Sequence, residues 1–330
     1  MSAAREVVLI RYPGDAPRAD DFAARPAAVP EPGEGEVLVR VTHLSMDPFP
    51  FMRMRPQSRV GPPMRLDRAV EGRGLGTVVE SRDPALAPGD LVAGELGWRT
   101  HAVLPAAELE KLDKALGPPE KHLSVLGPSG LTAYFATHVL GAPKTGQTVL
   151  VAPAAGSVGS VAVQIARAAG ARVVGVASGD QCAHLTGALG CHDAVDHRDV
   201  AAEIARACPD GVDLFIDGVG GEVHDAGVQA LRPGGRAVLL GFISGYGEGP
   251  RPYGSMLPVL FKRLDVRGFL LADWRDRFPE GMERLAGWLA DGTIRPVETV
   301  WEGLEQAPAA FASLFADAGP GKQIVKLGEG

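Results

Sequence analysis

A glycine-containing turn between two apolar segments constrains the fold of this chain more than any other feature. The run Thr148–Ala152 leads into Ala154-Ala155-Gly156-Ser157-Val158-Gly159. Beyond the turn, apolar residues recur at three- and four-residue steps: Val158, Val161, Ala162, Ile165 and Ala169. This pattern predicts a buried strand, a tight turn and an amphipathic helix that ends at Gly170. The turn therefore opens a βαβ unit.

The turn also has the composition of a phosphate-binding loop. Ala154–Gly159 matches the six-residue glycine fingerprint of dinucleotide sites, except that Ala154 replaces the first glycine. Such sites place helix N–H groups and a closely approaching backbone against a pyrophosphate. Glycine-rich turns at Gly218 and Gly241 follow later predicted strands, at the edge where an open α/β sheet forms its ligand crevice. We predict a dinucleotide site; a turn that serves packing alone is the alternative.

The two halves of the chain differ in strand pattern. Beyond residue 125, apolar strands alternate with helical segments, as in a parallel sheet covered on both faces: Thr148–Ala152, Arg172–Ala177, Leu214–Asp217, Arg236–Phe242 and Val266–Leu271. Before it, glycine and proline turns separate short strands, as in a compact β-barrel: Val7–Ile10, Glu36–Val41, Gly76–Glu80, Leu91–Ala93 and His101–Leu104.

The change of pattern predicts an α/β protein with a β domain over residues 1–120 and a doubly wound domain over 121–292. In the C-terminal segment 293–330 we expect a short helix around Ala309–Phe315. Its last strand, Gln323–Leu327, can return to the β domain.

Bulk properties exclude several classes of function. A net charge of -7 argues against nucleic acid as a partner. The chain has no run of about 18 apolar residues and no apolar signal core after Met1, so we expect no membrane partner and a cytoplasmic location. Its three cysteines, Cys182, Cys191 and Cys208, do not make a disulfide framework.

Six stretches in order along the chain carry a family resemblance: Leu44–Pro48 with Phe51–Arg53, Gly127–Phe135, Ala154–Ser160, Asp217–Glu222, Gly241–Tyr246 and Gly321–Lys326. With these the sequence resembles the medium-chain dehydrogenase/reductase superfamily. Within it, the sequence is similar to the zinc-independent branch of prostaglandin reductases, leukotriene B4 dehydrogenases and plant alkenal double-bond reductases.

The resemblance implies a GroES-like β-barrel domain, a Rossmann domain and a C-terminal segment that rejoins the barrel. It also implies hydride transfer from NADPH to the β-carbon of an α,β-unsaturated ketone or aldehyde. A homodimer is expected, through the edge strand near Arg236–Phe242 and Val266–Leu271. The cofactor contacts that it implies are Gly156, Ser157, Val158, Gly159, Gly241, Phe242, Ile243, Ser244, Tyr246, Phe269, Leu270, Leu271 and Gly319.

The residues after the second strand bear on the choice between NADP(H) and NAD(H), because a 2′-phosphate needs a cation or hydroxyl there. The lysine and tyrosine of the branch are absent from this region. Ser178, His197 and Arg198 can take their place and favour NADP(H), whereas Asp180 leaves NAD(H) as the alternative.

We expect no catalytic zinc, because the predicted barrel has no cysteine to bind one. Reduction of an enone, whose developing enolate can be stabilised by hydrogen bonds, fits better than alcohol oxidation. The tyrosines of the branch are replaced by Phe51 (or Phe49) and by Phe261. Tyr246 and Tyr253 are the candidate proton donors. If both serve packing alone, solvent or the ribose hydroxyl of the cofactor donates the proton.

The segment Asp47, Phe49, Phe51 and Met52 resembles the substrate-side loop, and its apolar side chains predict a pocket for a bulky substrate. Barrel core is the alternative role. The spacing Cys182-Ala-His184 and Cys191-His192 matches no standard zinc site, so we predict no metal. The remaining histidines, including His224, show no nucleophile–acid pairing and are expected to be surface or satisfied core residues.

Three functions remain open. The leading one is an NADPH-dependent ene reductase, with natural-product biosynthesis as a setting that the apolar loop suggests. The second is a quinone reductase of the same superfamily, which needs no proton-donating tyrosine. The third is a nucleotide-binding protein, or a non-redox catalyst, that has lost hydride transfer.

Overall fold

The computed structural model describes residues 4–58, 60–247, 254, 256–316 and 319–328. The chain divides into two compact units. One contains residues 1–123 and 298–330, and is called the barrel unit below; the other contains residues 124–297 and is called the nucleotide unit. Tyr253, one of the two candidate proton donors, lies outside the described residues.

The described residues in the first part of the barrel unit form seven strands: β1 Ala4–Leu9, β2 Phe22–Ala27, β3 Glu36–Ser45, β4 Gly74–Ser81, β5 Leu91–Gly94, β6 His101–Pro105 and β7 Glu110–Lys111. β1 and β2 pair with each other, whereas β3 pairs antiparallel with both β4 and β6. A 3-10 helix, Phe49–Arg53, follows β3. An apolar core cluster includes Leu75, Leu91 and Leu123.

The nucleotide unit contains a six-stranded parallel sheet with helices between the strands. Its elements are α1 Pro128–Ala133, the π-helix Tyr134–Gly141, β8 Thr148–Ala152, α2 Ser157–Ala168, β9 Arg172–Ala177, α3 Gly179–Gly187, β10 Asp193–Asp196, α4 Val200–Ala207, β11 Val212–Asp217, α5 Gly221–Ala230, β12 Leu231–Leu239, α6 Leu257–Lys262, β13 Asp265–Gly268 and α7 Phe278–Ala290. The strand order is β10-β9-β8-β11-β12-β13. Because this order reverses between β8 and β11, a ligand crevice is expected beyond their carboxyl ends.

Two details of this sheet correct the prediction. β12 pairs with both β11 and β13, so the segment near Arg236–Phe242 is not an edge; β13 alone forms that edge. β13 also ends at Gly268, and Leu271–Arg277 forms a 3-10 helix instead of continuing the strand. The short strand β10 and the proline-containing β2 are additional to the predicted strands.

The last part of the chain returns to the barrel unit as β14 Glu298–Glu302, α8 Ala307–Ser313 and β15 Lys322–Lys326. β15 lies between β14 and β3, with Ile324 opposite Ser45. The strand predicted at the end of the chain thus lies beside β3, in the barrel unit. Among the helices that the structure describes, none is long and apolar enough to cross a bilayer.

Candidate cofactor and substrate sites

The turn between β8 and α2 is shaped by backbone sterics. A Cβ atom built on Gly159 would lie 1.9 Å from the Pro153 carbonyl oxygen, so the start of α2 packs on the end of β8 with no room for a side chain. At Gly156, the N-cap of α2, the nearest atom to such a Cβ is 3.5 Å away. Gly156–Val158 are partly exposed. The N–H groups of this first turn have no acceptors within the helix and can bind an anion.

Ala154, the departure from the glycine fingerprint, is fully buried and its N–H donates to the Val176 carbonyl oxygen on β9 at 2.8 Å. The neighbouring strand makes room for its methyl group. A Cβ atom on Gly175 would lie 2.8 Å from the Ala154 Cβ atom. A glycine on β9 thus compensates for the glycine missing from the turn.

A second turn, after β11, is held by a buried carboxylate. Asp217 Oδ1 accepts hydrogen bonds from Val219 N at 2.8 Å and Gly220 N at 3.0 Å, and its Oδ2 lies 2.8 Å from His224 Nδ1. His224 therefore has the buried Asp217 as its hydrogen-bond partner. The sequence alone assigned no role to Asp217. An aspartate between a buried strand and Gly218 nevertheless indicates a carboxylate that accepts hydrogen bonds from the N–H groups of the following turn.

The third turn follows β12 and lies against the second. Ile243 N donates to Gly218 O at 3.3 Å, and Ser244 N donates to Val219 O at 3.0 Å. These bonds place the predicted contacts Gly218 and Gly241–Ser244 along one edge, at the carboxyl ends of β11 and β12.

Tyr246 completes this group. Its ring meets Phe242 edge to face at 5.2 Å between centroids, and its hydroxyl would lie 3.6 Å from a Cβ atom on Gly241. Burial raises the pKa of Tyr246 above its ordinary value, so its phenol stays protonated at neutral pH.

The three residues predicted to hold a 2′-phosphate also come together. β9 and β10 run parallel with Asp196 opposite Ala177, so Ser178 and His197 follow the ends of adjacent strands. His197 Nδ1 lies 3.3 Å from the Ala177 carbonyl oxygen. Arg198 Nε lies 2.9 Å from Asp196 Oδ2, and hydrogen bonding to Arg198 lowers the pKa of Asp196 to about 2. The Arg198 guanidinium therefore already has one carboxylate neighbour.

The remaining predicted cofactor contacts are more dispersed. Phe269 is buried and its ring is stacked with Trp274 at 6.1 Å between centroids, whereas the following Leu270 is 68% exposed and Leu271 is half-buried. Gly319 belongs to the barrel unit, where its carbonyl oxygen accepts a hydrogen bond from Gln323 Nε2 at 2.8 Å.

The substrate-side loop of the barrel unit contains both core and surface residues. Phe51 is fully buried and packs edge to face on Phe315 at 4.8 Å, so its side chain belongs to the core rather than to an open pocket wall. Phe49 is 53% exposed and Met52 is half-buried, which leaves them as the apolar surface of the loop.

Asp47 is fixed by its neighbours. It forms an ion pair with the buried Lys322 and accepts a hydrogen bond from Ser45 Oγ at 2.5 Å. Burial alone would raise the pKa of Asp47, but the Lys322 ammonium and these hydrogen bonds outweigh it and hold that pKa below the ordinary value. Asp47 is therefore an ionised residue that positions the loop.

The residues of the cysteine and histidine segment serve separate contacts. His192 Nδ1 accepts a hydrogen bond from Val173 N at 3.0 Å, while burial raises the pKa of Cys191 to about 12. Across the described residues, no group of three or more histidine, cysteine or acidic side chains is arranged to hold a metal ion.

Comparison with known proteins identifies the family. Residues 5–112 match the model described as the N-terminal domain of oxidoreductase, and residues 157–287 match the zinc-binding dehydrogenase model. The NADPH-dependent curcumin reductase of Escherichia coli (strain K12) is 36% identical over 98% of this chain and 96% of its own length. The NADP(+)-dependent 2-alkenal reductase of Nicotiana tabacum is 32% identical over 98% of this chain and 97% of its own length.

A solved structure agrees with both relatives. CurA from Vibrio vulnificus in complex with NADPH has a TM-score of 0.91 and 34% identity, over 99% of this chain and 100% of that one. The chain belongs to the zinc-independent branch of the medium-chain dehydrogenase/reductase superfamily. It is an oxidoreductase with the predicted fold class, a GroES-like domain joined to a Rossmann domain.

Proposed function

We propose that this protein is an NADPH-dependent ene reductase that delivers hydride to the β-carbon of an α,β-unsaturated ketone or aldehyde. The observation that carries the proposal is the turn Ala154–Gly159, where the close packing at Gly159 leaves the N-terminus of α2 open to an anion. The curcumin and 2-alkenal reductases to which the chain is similar act on substrates of this class by name and use NADPH or NADP(+).

Different residues of the nucleotide unit would bind the pyrophosphate and the 2′-phosphate of NADPH. The first-turn N–H groups of α2 would hold the pyrophosphate. Ser178, His197 and Arg198 would hold the 2′-phosphate, because they supply one hydroxyl and two cationic or hydrogen-bonding side chains at adjacent strand ends. NADPH, when bound, supplies the hydride.

Tyr246 would act on the substrate oxygen. Its protonated phenol can donate a hydrogen bond to the carbonyl oxygen, where negative charge develops as the β-carbon is reduced. Protonation of the α-carbon then completes the reaction, with the phenol or a solvent molecule as the donor.

The test mixes purified protein with NADPH or NADH and a panel of enones, and follows the absorbance of the reduced cofactor. We expect NADPH oxidation that depends on the enone. Tyr246→Phe should lower kcat for enones by about a hundredfold, the usual contribution of a positioned acid. Binding of NADPH without oxidation across the panel would disprove the reductase proposal.

The pH profile checks the protonation state of Tyr246. Because its pKa is raised above 10.0, the ordinary tyrosine value, the wild-type rate should show no loss from this group until the pH exceeds about 10. A loss of activity between pH 7 and 9 that Tyr246→Phe removes would contradict this assignment.

A quinone reductase is the second candidate, favoured by Phe261 in the position of a branch tyrosine, where its side chain is 70% exposed. Reduction of quinones needs no proton-donating tyrosine. If Tyr246→Phe leaves quinone reduction intact and wild-type protein reduces quinones faster than enones, this function replaces the first. A place in natural-product biosynthesis would rest on Phe49 and Met52 as the apolar surface of the loop.

A homodimer through β13 is part of the proposal. β13 is the edge of the parallel sheet, and exposed apolar side chains lie on it and on α6, among them Leu260, Phe261 and Val266. Phe261→Glu with Val266→Glu should convert a dimer to a monomer in light scattering. Val300→Glu, an exposed position on β14, is the matched control. A monomeric wild-type protein would refute the proposed dimer.

A further inference from the structure

Asp196, the last residue of β10, places a carboxylate inside the region that we propose for the 2′-phosphate. It lies opposite Ala177 in the register of β9 and β10, and its side chain is only 25% exposed. A Cβ atom built on Gly179, the first residue of α3, would lie 2.6 Å from Asp196 Oδ2. The carboxylate therefore packs against the N-terminal end of α3, next to Ser178.

The Arg198 guanidinium is bound to this carboxylate through one edge. Its Nε lies 3.1 Å from Asp196 Oδ1 and 2.9 Å from Oδ2, and its Nη2 is paired with Oδ2. Two N–H groups on one edge of a guanidinium are the donors that bind a carboxylate or a phosphate in a bidentate way. A phosphate that uses the same two donors must therefore displace Asp196 or share them with it.

The surrounding segment has an excess of negative charge. Residues 178–206 contain five carboxylates and two guanidinium groups, and one of the two, on Arg206, is paired with Asp193. Hydrogen bonding to Arg198 lowers the pKa of Asp196 to about 2, so this carboxylate is ionised at neutral pH. A 2′-phosphate that approaches Arg198 thus meets an anion that is already bound to the guanidinium.

We propose that Asp196 is a specificity-determining residue, which competes with the 2′-phosphate for Arg198 and so limits the preference of the protein for NADPH over NADH. The inference rests on the proposed function, in which Arg198 holds the 2′-phosphate. NADH has a hydroxyl in place of this phosphate, so it neither needs the guanidinium nor is repelled by the carboxylate. The carboxylate that selects NAD in Rossmann domains follows the second strand and contacts the ribose. Asp196 instead follows β10 and acts through Arg198.

The experiment measures the dissociation constants of NADPH and NADH for Asp196→Asn by fluorescence titration. Asparagine keeps an oxygen that can accept from Arg198 N, which lies 3.0 Å from Asp196 Oδ1, and removes the charge. NADPH should bind about tenfold more tightly and NADH should change by less than about twofold. The gain should shrink at high salt, because the Arg198 side chain is 72% exposed. Weaker NADPH binding would overturn the proposal, since Asp196 would then orient Arg198 for the phosphate.

Asp193→Asn is the matched control. Asp193 is the first residue of the same strand, and its two carboxylate oxygens lie 3.1 and 3.2 Å from Nη1 and Nη2 of Arg206. It is about 10 Å from Asp196 along the strand, so salt screens its charge and NADPH affinity should change by less than about twofold. An equal gain in the two variants would overturn the proposal, because the total charge of the segment would then explain it.

The double variant Asp196→Asn/Arg198→Ala separates competition from direct repulsion. Without the guanidinium, Asp196→Asn should improve NADPH binding by no more than about twofold. A full tenfold gain in the absence of Arg198 would overturn competition for this residue. These measurements need binding alone, so they are independent of turnover. If the affinities change as expected but the wild type reduces no enone, the reductase proposal fails and this inference stands. Absence of NADPH binding by the wild type would refute both.

Discussion

The two regions of the nucleotide unit that we propose to bind the phosphates of NADPH are built in different ways. At the turn Ala154–Gly159, backbone sterics decide the structure, since a Cβ atom on Gly159 would lie 1.9 Å from the Pro153 carbonyl oxygen. At Ser178, His197 and Arg198, the backbone only brings strand ends together and the side chains provide the chemistry. A site fixed by the backbone tolerates few residue types, whereas a site fixed by side chains can be rebuilt with different ones.

The largest effect is expected at Gly159. Gly159→Ala should weaken NADPH binding by at least about a hundredfold and destabilise the protein by about 3 kcal/mol, because a methyl group forces α2 away from β8. Gly159→Asp should be only slightly worse, since the collision begins at Cβ. Titration of NADPH fluorescence measures the affinity. Gly187→Ala, at the end of α3 with nothing within 4 Å of its Cβ, is the control and should bind normally. Normal affinity of Gly159→Ala would mean that sterics do not fix this turn.

Substitution of Asp217 tests whether a side chain holds the backbone of the turn after β11. Asp217→Ala leaves two N–H groups and His224 without their acceptor, so the free energy of unfolding should fall by about 3 kcal/mol. His224→Ala removes one of these three contacts and should cost about 1 kcal/mol. Urea unfolding gives both values. Similar losses in the two variants would show that the turn after β11 does not depend on the carboxylate.

Substitution of Arg198 tests the second region, in which side chains rather than the backbone would hold the phosphate. Arg198→Ala should weaken NADPH about tenfold and leave NADH unchanged, because only NADPH carries the 2′-phosphate. The effect stays modest because the guanidinium is 72% exposed and already contacts Asp196. Arg206→Ala, which removes another exposed arginine of this unit, serves as the control. An equal loss for both nucleotides would place Arg198 outside the 2′-phosphate site.

The smallest effect is expected at Asp180, an exposed residue in the first turn of α3. Its charge repels a 2′-phosphate through water, so Asp180→Ser should strengthen NADPH binding by about threefold or less. NADH affinity should fall or stay the same. If NADH binds more tightly than NADPH in the wild type and this variant reverses the order, Asp180 rather than Arg198 decides the cofactor.

The sequence predicts the parallel sheet well because its strands are apolar on both faces and glycines separate them from helices. β8 and β9 have the predicted bounds, Thr148–Ala152 and Arg172–Ala177. β10 gives no such signal, since it has four residues with an aspartate at each end and only Val195 fully buried. β2 contains Pro26, a residue that is unusual within a strand.

Side-chain pairing across the structure is harder to predict. The compensation between Ala154 and Gly175 links the turn after β8 to β9, and no local pattern reveals it. The same holds for Asp47 with Lys322, which lie 275 residues apart in sequence. Asp217 and His224 are only seven residues apart, but the turn after β11 and the start of α5 separate them. For Phe51, the sequence left pocket and core open, and only packing against Phe315 distinguishes them.

The position of β15 has a consequence for synthesis of the protein. All six strands of the parallel sheet lie within residues 124–297, so this sheet can be completed without the last strands of the chain. The barrel unit is completed later, because it includes residues 298–330. Until residues 322–326 emerge, residues 43–45 of β3 lack their partner strand and Asp47 lacks Lys322 as its ion-pair partner. The half of the protein that is translated first is thus the half that is completed last.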